Sequence, residues 1–305
     1  MKKKYIYASS IIIAVLSIFI YFCMFSKVNL VYMCNSKYLP YVMTSLESAI
    51  DTKEENTSYN VYIIAKDFTS KDVENVKKME QKGVKINIVQ AKDKNLNYEN
   101  LGRFASYSIS LQKIFIADYL KNIDKVLYID ADTLIQGDLS KLYKTNIKDY
   151  YVAAVKDGLM YQFPEHIEEI GLTWRKFYFN SGIMLLNLKK IRKDNKISDA
   201  IQYFNNNNEV FGDQDVLNVV YGKGVKPISY IYNCNSVYFE KERAEFLSDF
   251  YQEEVPQTSR EVYDNAIILH FAGHKPWTPW FEHSYLKPLW WKYANEVKTK
   301  YNIEF

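Results

Sequence analysis

Cysteine is scarce in this chain. Cys23, Cys34 and Cys234 are its only three, a scattered, odd set that makes no disulfide framework and leaves the redox compartment open. Proline and glycine are also few, at 7 and 10 of 305 residues. No proline-rich linker and no internal repeat breaks the sequence, which excludes a string of small modules. A basic domain is missing too. The formal charge of +3 belongs to the start of the chain, where Lys2, Lys3, Lys4 and Lys27 stand without an acid. Beyond residue 27 the remaining lysines and arginines are balanced by acids, so no nucleic-acid footprint is left.

One long hydrophobic run is present. Tyr5 to Phe25 holds 21 residues without a charge, enough to cross a bilayer as a helix. The rival reading is a cleaved signal peptide. The length of the run and the lack of a small-x-small cleavage site oppose it. Residues 1–27 are therefore expected to be an N-terminal membrane anchor. Lys2 to Lys4 would keep the N-terminus in the cytoplasm of a single-pass protein, the side of the catalytic domain being undetermined. Residues 28–305 would form one domain.

That domain alternates strand and helix. Val28–Met33, Tyr59–Ala65, Val84–Val89 and Lys125–Ile129 read as strands, with helices over Tyr41–Ile50, Lys71–Lys82 and Tyr107–Leu120 between them. The order predicts an α/β fold with a mostly parallel, Rossmann-like sheet and helices on both faces. The second half is looser. It carries a long apolar strand within Lys176–Leu188, helices near Ser198–Phe204 and Gln214–Val220, a strand over Ile267–Phe271 and a C-terminal helix from Tyr285 to Tyr301.

The most informative stretch is Lys125-Val-Leu-Tyr-Ile-Asp-Ala-Asp-Thr-Leu134. A buried strand ends in two aspartates one residue apart, so Asp130 and Asp132 can face one ligand. Carboxylates that close repel unless a cation lies between them. The plainer reading is a polar turn, but open α/β sheets place ligands at such strand ends. His270 ends a second apolar strand, in His270-Phe-Ala-Gly-His-Lys-Pro-Trp277. A lone histidine there is commonly a hydrogen-bonded core residue, yet two carboxylates and an imidazole also form an O/N set suited to Mn²⁺. Gly273 permits a tight turn, and Lys275 supplies a cation that could neutralise phosphate. Phe179-Asn-Ser-Gly-Ile-Met-Leu-Leu-Asn187 sets Asn180, Ser181 and Gly182 in an apolar strand, marking a bulge or the close approach of a ligand. Gly212-Asp-Gln-Asp215 opens a helix, where Asp213 could be a simple N-cap.

Taken in order, Tyr128-Ile-Asp-Ala-Asp-Thr133, Asn180-Ser-Gly182, Gly212-Asp-Gln-Asp215 and the His270–Trp277 segment resemble glycosyltransferase family 8. The likeness runs from about Asn29 to Trp291. It implies a GT-A fold, a UDP-sugar donor, Mn²⁺ or another divalent cation, and transfer of a hexose to a glycan, glycolipid or glycoprotein with retained configuration. Asp130, Asp132 and His270 would hold the metal, and Asp130 would also touch the ribose. Gly273 and Lys275 would meet the diphosphate. Asn180, Ser181, Asp213 and Gln214 would line the sugar and acceptor pocket, with Gln214 or Asp213 nearest the anomeric carbon.

Two positions depart from the family pattern. Asn35, in Asn35-Ser-Lys-Tyr38, stands where an aspartate often contacts the base, and Lys113 stands where an arginine reaches the donor. Asn35 keeps an amide oxygen, and Lys113 keeps charge without a bidentate fork. Two other classes compete. Haloacid-dehalogenase-like phosphatases also use strand-Asp-x-Asp, but Leu134 and the mid-chain position of the motif oppose that reading. A sugar-nucleotide-binding protein without turnover is the second.

Overall fold

A computed structural model describes residues 25–92, 96–107, 109–158, 160, 163–172, 177–208, 210–235 and 244–305. Ten strands run in chain order: β1 (Ser26–Asn35), β2 (Thr57–Lys66), β3 (Val84–Gln90), β4 (Lys125–Ile129), β5 (Thr133–Ile135), β6 (Val152–Lys156), β7 (Phe179–Asn187), β8 (Val225–Pro227), β9 (Cys234–Asn235) and β10 (Ile268–His270). Seven form one sheet in the order β3-β2-β1-β4-β7-β6-β8, and β5-β10-β9 form a small second sheet.

The main sheet is mixed, not mostly parallel. β1 runs parallel to β2 and β4, but β7 is antiparallel to both β4 and β6. This reversal carries a consequence for the site. The C-terminal ends of β1, β4 and β6 and the N-terminal end of β7 all open on one edge.

Side-chain alternation along β1 builds the two faces. Val28, Leu30, Tyr32 and Cys34 pack with Val42, Met43, Leu46 and Ala49 of the helix Leu39–Thr52. Val31 and Met33 point the other way, into a cluster with Leu111, Phe115, Tyr128, Met184 and Leu217. Pro40 lies in the first turn of Leu39–Thr52, where a missing N–H costs nothing. Thr69 and Asp72 form a capping box that starts the helix Ser70–Lys77.

The helix expected over Tyr107–Leu120 is different. Tyr98–Tyr107 and Ser110–Phe115 are 3₁₀ turns, and only Ile116–Tyr119 is α-helical. Leu111, Gln112, Lys113, Ile114 and Phe115 are all buried in succession. A segment enclosed on every side has no amphipathic face to present, and the 3.6-residue period loses its hold.

The predicted transmembrane helix and single-pass membrane location are corrected. Among the described residues no helix is long and apolar enough to cross a membrane. The longest, Leu286–Tyr301, has 16 residues, short of the roughly 20 apolar residues that a span requires. Residues 5–24 of the hydrophobic run lie outside the described residues, while Phe25 is exposed and Ser26 already pairs with Thr57 in the sheet.

The C-terminal helix closes the small sheet instead. Trp290, fully buried, joins Leu134, Leu269, Phe271 and Tyr263 in a third core. Tyr41 stacks on Trp277 at 3.9 Å, and Trp277 leans on Trp290 at 5.2 Å. The buried Glu47 accepts from Lys300 and from the Tyr301 hydroxyl, which fastens the last turn to the helix Leu39–Thr52. Trp290→Ala should lower the unfolding free energy by about 3–5 kcal/mol. Trp280→Ala, at a ring 70% exposed, should change it by less than about 0.5 kcal/mol. Urea denaturation of the two variants checks the contrast.

Candidate active site

Asp130 and Asp132 follow directly on β4. The Asp130 amide donates to Gly182 O at 2.8 Å, so pairing with β7 continues one residue past the strand. Thr133 then staples the turn, donating from Oγ1 to Asp130 O at 2.9 Å, with Ser45 Oγ 2.7 Å away and Tyr32 behind it. In the small sheet His270 pairs with Thr133, and the Phe271 amide donates to Asp132 O at 2.8 Å. The second sheet is thus what brings residue 270 to residue 132. One ligand atom from each of Asp130, Asp132 and His270 lies within 4.8 Å of the others. This oxygen–oxygen–nitrogen set fits a divalent cation of the Mn²⁺ kind.

Two lysines compensate these carboxylates. The Lys113 ammonium lies 3.1 Å from Asp130 and 3.2 Å from Asp213, and it donates to Ser181 O at 3.3 Å. Its side chain is 5% exposed. Burial works against its charge, but Asp130 and Asp213 outweigh that and hold its pKa above the ordinary lysine value. Lys275 pairs with Asp132 and also donates to Phe271 O at 3.0 Å. Burial pushes the Asp132 carboxyl up, yet Lys275 and His270 hold it well below the usual range. Asp130 goes the other way. Burial raises it, Lys113 counters, and the neighbouring Asp132 charge adds to the rise. The Tyr128 hydroxyl donates to Asp130 Oδ1.

A layer of amides lies beside Asp130, Asp132 and His270. His270 Nδ1 is 2.9 Å from Asn233 Oδ1, and Asn233 Nδ2 donates to Asn180 Oδ1 at 2.9 Å. Asn180 Oδ1 also accepts from the Gly182 amide at 2.9 Å, while Asn180 Nδ2 donates to Asp157 Oδ2 at 3.0 Å. Gln214 Nε2 donates to the same oxygen at 3.0 Å, and Gln214 Oε1 accepts from the Ser181 amide at 3.0 Å. The Tyr178 hydroxyl, 3.3 Å from Gln214 Nε2, donates to Asp215, which His166 also meets at 2.9 Å.

Most of the residues singled out in the sequence therefore converge. Asp130, Asp132, His270 and Lys275 form one group, Lys113 ties it to Asp213 and Ser181, and Gln214 joins through the Ser181 amide. Asn180 reaches it through Asn233. Asn35 ends β1 on the same edge, where its side chain accepts from the Tyr38 amide at 3.1 Å. Gly273 has a φ of +89°, the left-handed turn that glycine permits. Sequence reasoning missed Asp157, Asn233, Tyr128, Tyr178 and His166. Asp157 follows β6 as Asp130 follows β4, which was a readable signal. Asn233 stands between Tyr232 and Cys234, a setting that carries none.

Gly182 shows how tight this packing is. A Cβ there would lie 2.3 Å from His270 Cε1 and 3.0 Å from Asn180 Oδ1. Gly182→Ala should displace the imidazole at a cost of about 1–3 kcal/mol, seen as a lowered melting temperature and a weaker affinity for Mn²⁺. Lys113→Met should cost more, about 3–5 kcal/mol, because it takes their shared cation from the buried Asp213 and the partly exposed Asp130. Urea denaturation against wild type reads that loss.

Comparison with known proteins identifies the family. The sequence profile of "Glycosyl transferase family 8" matches residues 29–281. General stress protein A of Bacillus subtilis is 31% identical over 186 residues, covering 57% of this chain and 60% of that protein. A lipopolysaccharide 1,2-glucosyltransferase of Escherichia coli is 28% identical over 169 residues, covering 53% and 48%. The chain thus spans less than two thirds of the length of these two relatives. Among solved structures, the galactosyltransferase LgtC in complex with donor and acceptor sugar analogues superposes with a TM-score of 0.69 at 20% identity, covering 88% of this chain and 95% of that one. The fold is accordingly GT-A-like α/β with a mixed sheet, and the phosphatase reading of the two aspartates falls away. The chain belongs to glycosyltransferase family 8.

Proposed function

We propose that this chain is a metal-dependent, retaining hexosyltransferase that moves glucose or galactose from a UDP-sugar to a glycan, glycolipid or glycoprotein. The observation that carries the reading is the joining of two sets through one buried cation. Lys113 links the ligand set Asp130, Asp132 and His270 to the Asp213–Gln214 pair. The hexose is suggested by the relatives, one a galactosyltransferase and one a lipopolysaccharide glucosyltransferase by name.

A divalent cation held by Asp130, Asp132 and His270 would supply positive charge against the diphosphate as it leaves. Lys275, beside Asp132, adds a protein-borne cation for the same charge. Gly273 lets the backbone turn closely there. Transfer forms a bond from an acceptor hydroxyl oxygen to the anomeric carbon and breaks the bond from that carbon to the diphosphate. The hydroxyl proton passes to a leaving-group oxygen when attack comes from the same face.

The hydrogen bonding of the candidate nucleophiles favours that course over double displacement. Gln214 Oε1 already accepts from the Ser181 amide, and its Nε2 is tied to Asp157. An amide is a poor nucleophile to begin with. Asp213 is 4% exposed and its carboxylate is held by the Lys113 ammonium, which withdraws electron density from a would-be nucleophile. Both residues are better suited to positioning the sugar, together with Asn180 and Asp157. At the nucleotide end, Asn35 has one lone pair committed to Tyr38 and a second left for a uracil N–H. The exposed Tyr38 ring beside it offers a face on which a base could stack.

The test is a screen of UDP-glucose, UDP-galactose and UDP-N-acetylglucosamine for Mn²⁺-dependent donor hydrolysis and transfer. Turnover should need the metal, and Asp132→Ala should lower it by about 100-fold or more, the scale of several kcal/mol of charge stabilisation. Full activity of that variant in the presence of a chelator would sink the proposal.

A further inference from the structure

The amide layer has a direction, and that direction ends on His270. The Gly182 backbone N–H can only donate, so the Asn180 atom facing it at 2.9 Å must be Oδ1. That leaves Nδ2 of Asn180 to donate to the Asp157 carboxylate, which can only accept when ionised. Asn233 meets Asn180 Oδ1 at 2.9 Å and must therefore present its own Nδ2. Its Oδ1 is then forced towards His270 Nδ1, 2.9 Å away. An oxygen at that place requires the proton on Nδ1. The nitrogen left for a metal is then Nε2, which faces Asp132 at 3.5 Å and Asp130 at 3.9 Å. Asn233 and His270 are each about 3% exposed, so water cannot easily replace the contact.

We propose that Asn233 is a positioning residue for the metal: it relays the fixed polarity of the Gly182 amide, through Asn180, to lock His270 as the Nδ1–H tautomer. The inference rests on the metal-site reading above. Its physical content is that a histidine ligand needs a free lone pair on the nitrogen facing the ion, and the partner of the other nitrogen decides which that is. Asn180 then has a second duty besides facing the substrate, because a change there also reverses or releases Asn233. The geometry of Gly182 belongs to the same device. Its missing Cβ lets the imidazole lie against it, and its N–H sets the order of the chain.

Two readouts test this without relying on turnover. The first is the long-range ¹H–¹⁵N spectrum of histidine-labelled, metal-free protein at a pH that leaves the imidazole neutral, with His270 assigned by its substitution. Wild type should show the proton on Nδ1, and a proton on Nε2 overturns the proposal. The second is Mn²⁺ affinity, measured by electron paramagnetic resonance of the free ion with and without UDP. Asn233→Leu should weaken it by about 10–100-fold. Asn233→Asp keeps an acceptor for Nδ1–H but loses the donor to Asn180 Oδ1, so it should recover only part of the loss. A folded Asn233→Leu protein that binds Mn²⁺ as wild type does also overturns it. Should Asn233→Leu not fold, the wild-type spectrum still decides. Equal Mn²⁺ affinity of wild type and Asp132→Ala removes the metal site and this proposal together, and an Nδ1–H signal in that case assigns the failure to the site and not to the relay.

Discussion

Charge balance among crowded, partly buried carboxylates is the constraint on which the rest of this molecule turns. Asp130 and Asp132 keep 24% and 13% of their side chains exposed, while Asp213 is buried. Two unit charges 4 Å apart interact by about 4 kcal/mol at an effective dielectric of about 20. Lys113 answers this by standing between Asp130 and Asp213, and Lys275 answers it at Asp132. The pocket is organised around cations before any ligand arrives. The opposite displacements of the two aspartates follow from that arrangement, since burial and then the Asp132 charge raise Asp130 against the pull of Lys113, while Lys275 and His270 outweigh burial at Asp132.

The reversal of one strand makes the pocket possible. Because β7 runs against its neighbours, Asn180, Ser181 and Gly182 arrive at the edge where β4 and β6 leave Asp130 and Asp157. The helix Gly212–Tyr221 brings Asp213 and Gln214 to the same place, where the partial positive charge of its N-terminus suits two acids. The small sheet then adds His270. Each group sits on a regular element or just beyond its end, and the side chains are crossed by hydrogen bonds whose donors and acceptors leave little choice of orientation.

The sequence reading went astray where tertiary surroundings overruled a local pattern. The segment before β4 has helical spacing but is enclosed on all sides and winds as 3₁₀ turns. The apolar strand within Lys176–Leu188 was readable as a strand, yet its direction was not, since a buried strand is apolar on both faces whichever way it runs. The hydrophobic run near the N-terminus met the length criterion for a span, but no described helix crosses a membrane. Asn233 escaped notice for another reason. A single asparagine between Tyr232 and Cys234 has no pattern to announce it until its partners are in place.

By itself, the sequence was enough to determine an alternating α/β domain, a strand ending in paired aspartates, a second strand ending in histidine, and four ordered motifs of one glycosyltransferase family. Those features depend on local period and on residue chemistry, which a linear string carries. Only the tertiary structure decided that the sheet is mixed, that Lys113 bridges Asp130 to Asp213, and that Asp157 and Asn233 belong to the site. These depend on which strands are neighbours and in which direction they run. The imidazole's tautomer is the furthest case, since it follows from a backbone N–H 88 positions away in the chain and is set only when folding brings Gly182, Asn180, Asn233 and His270 within hydrogen-bond reach.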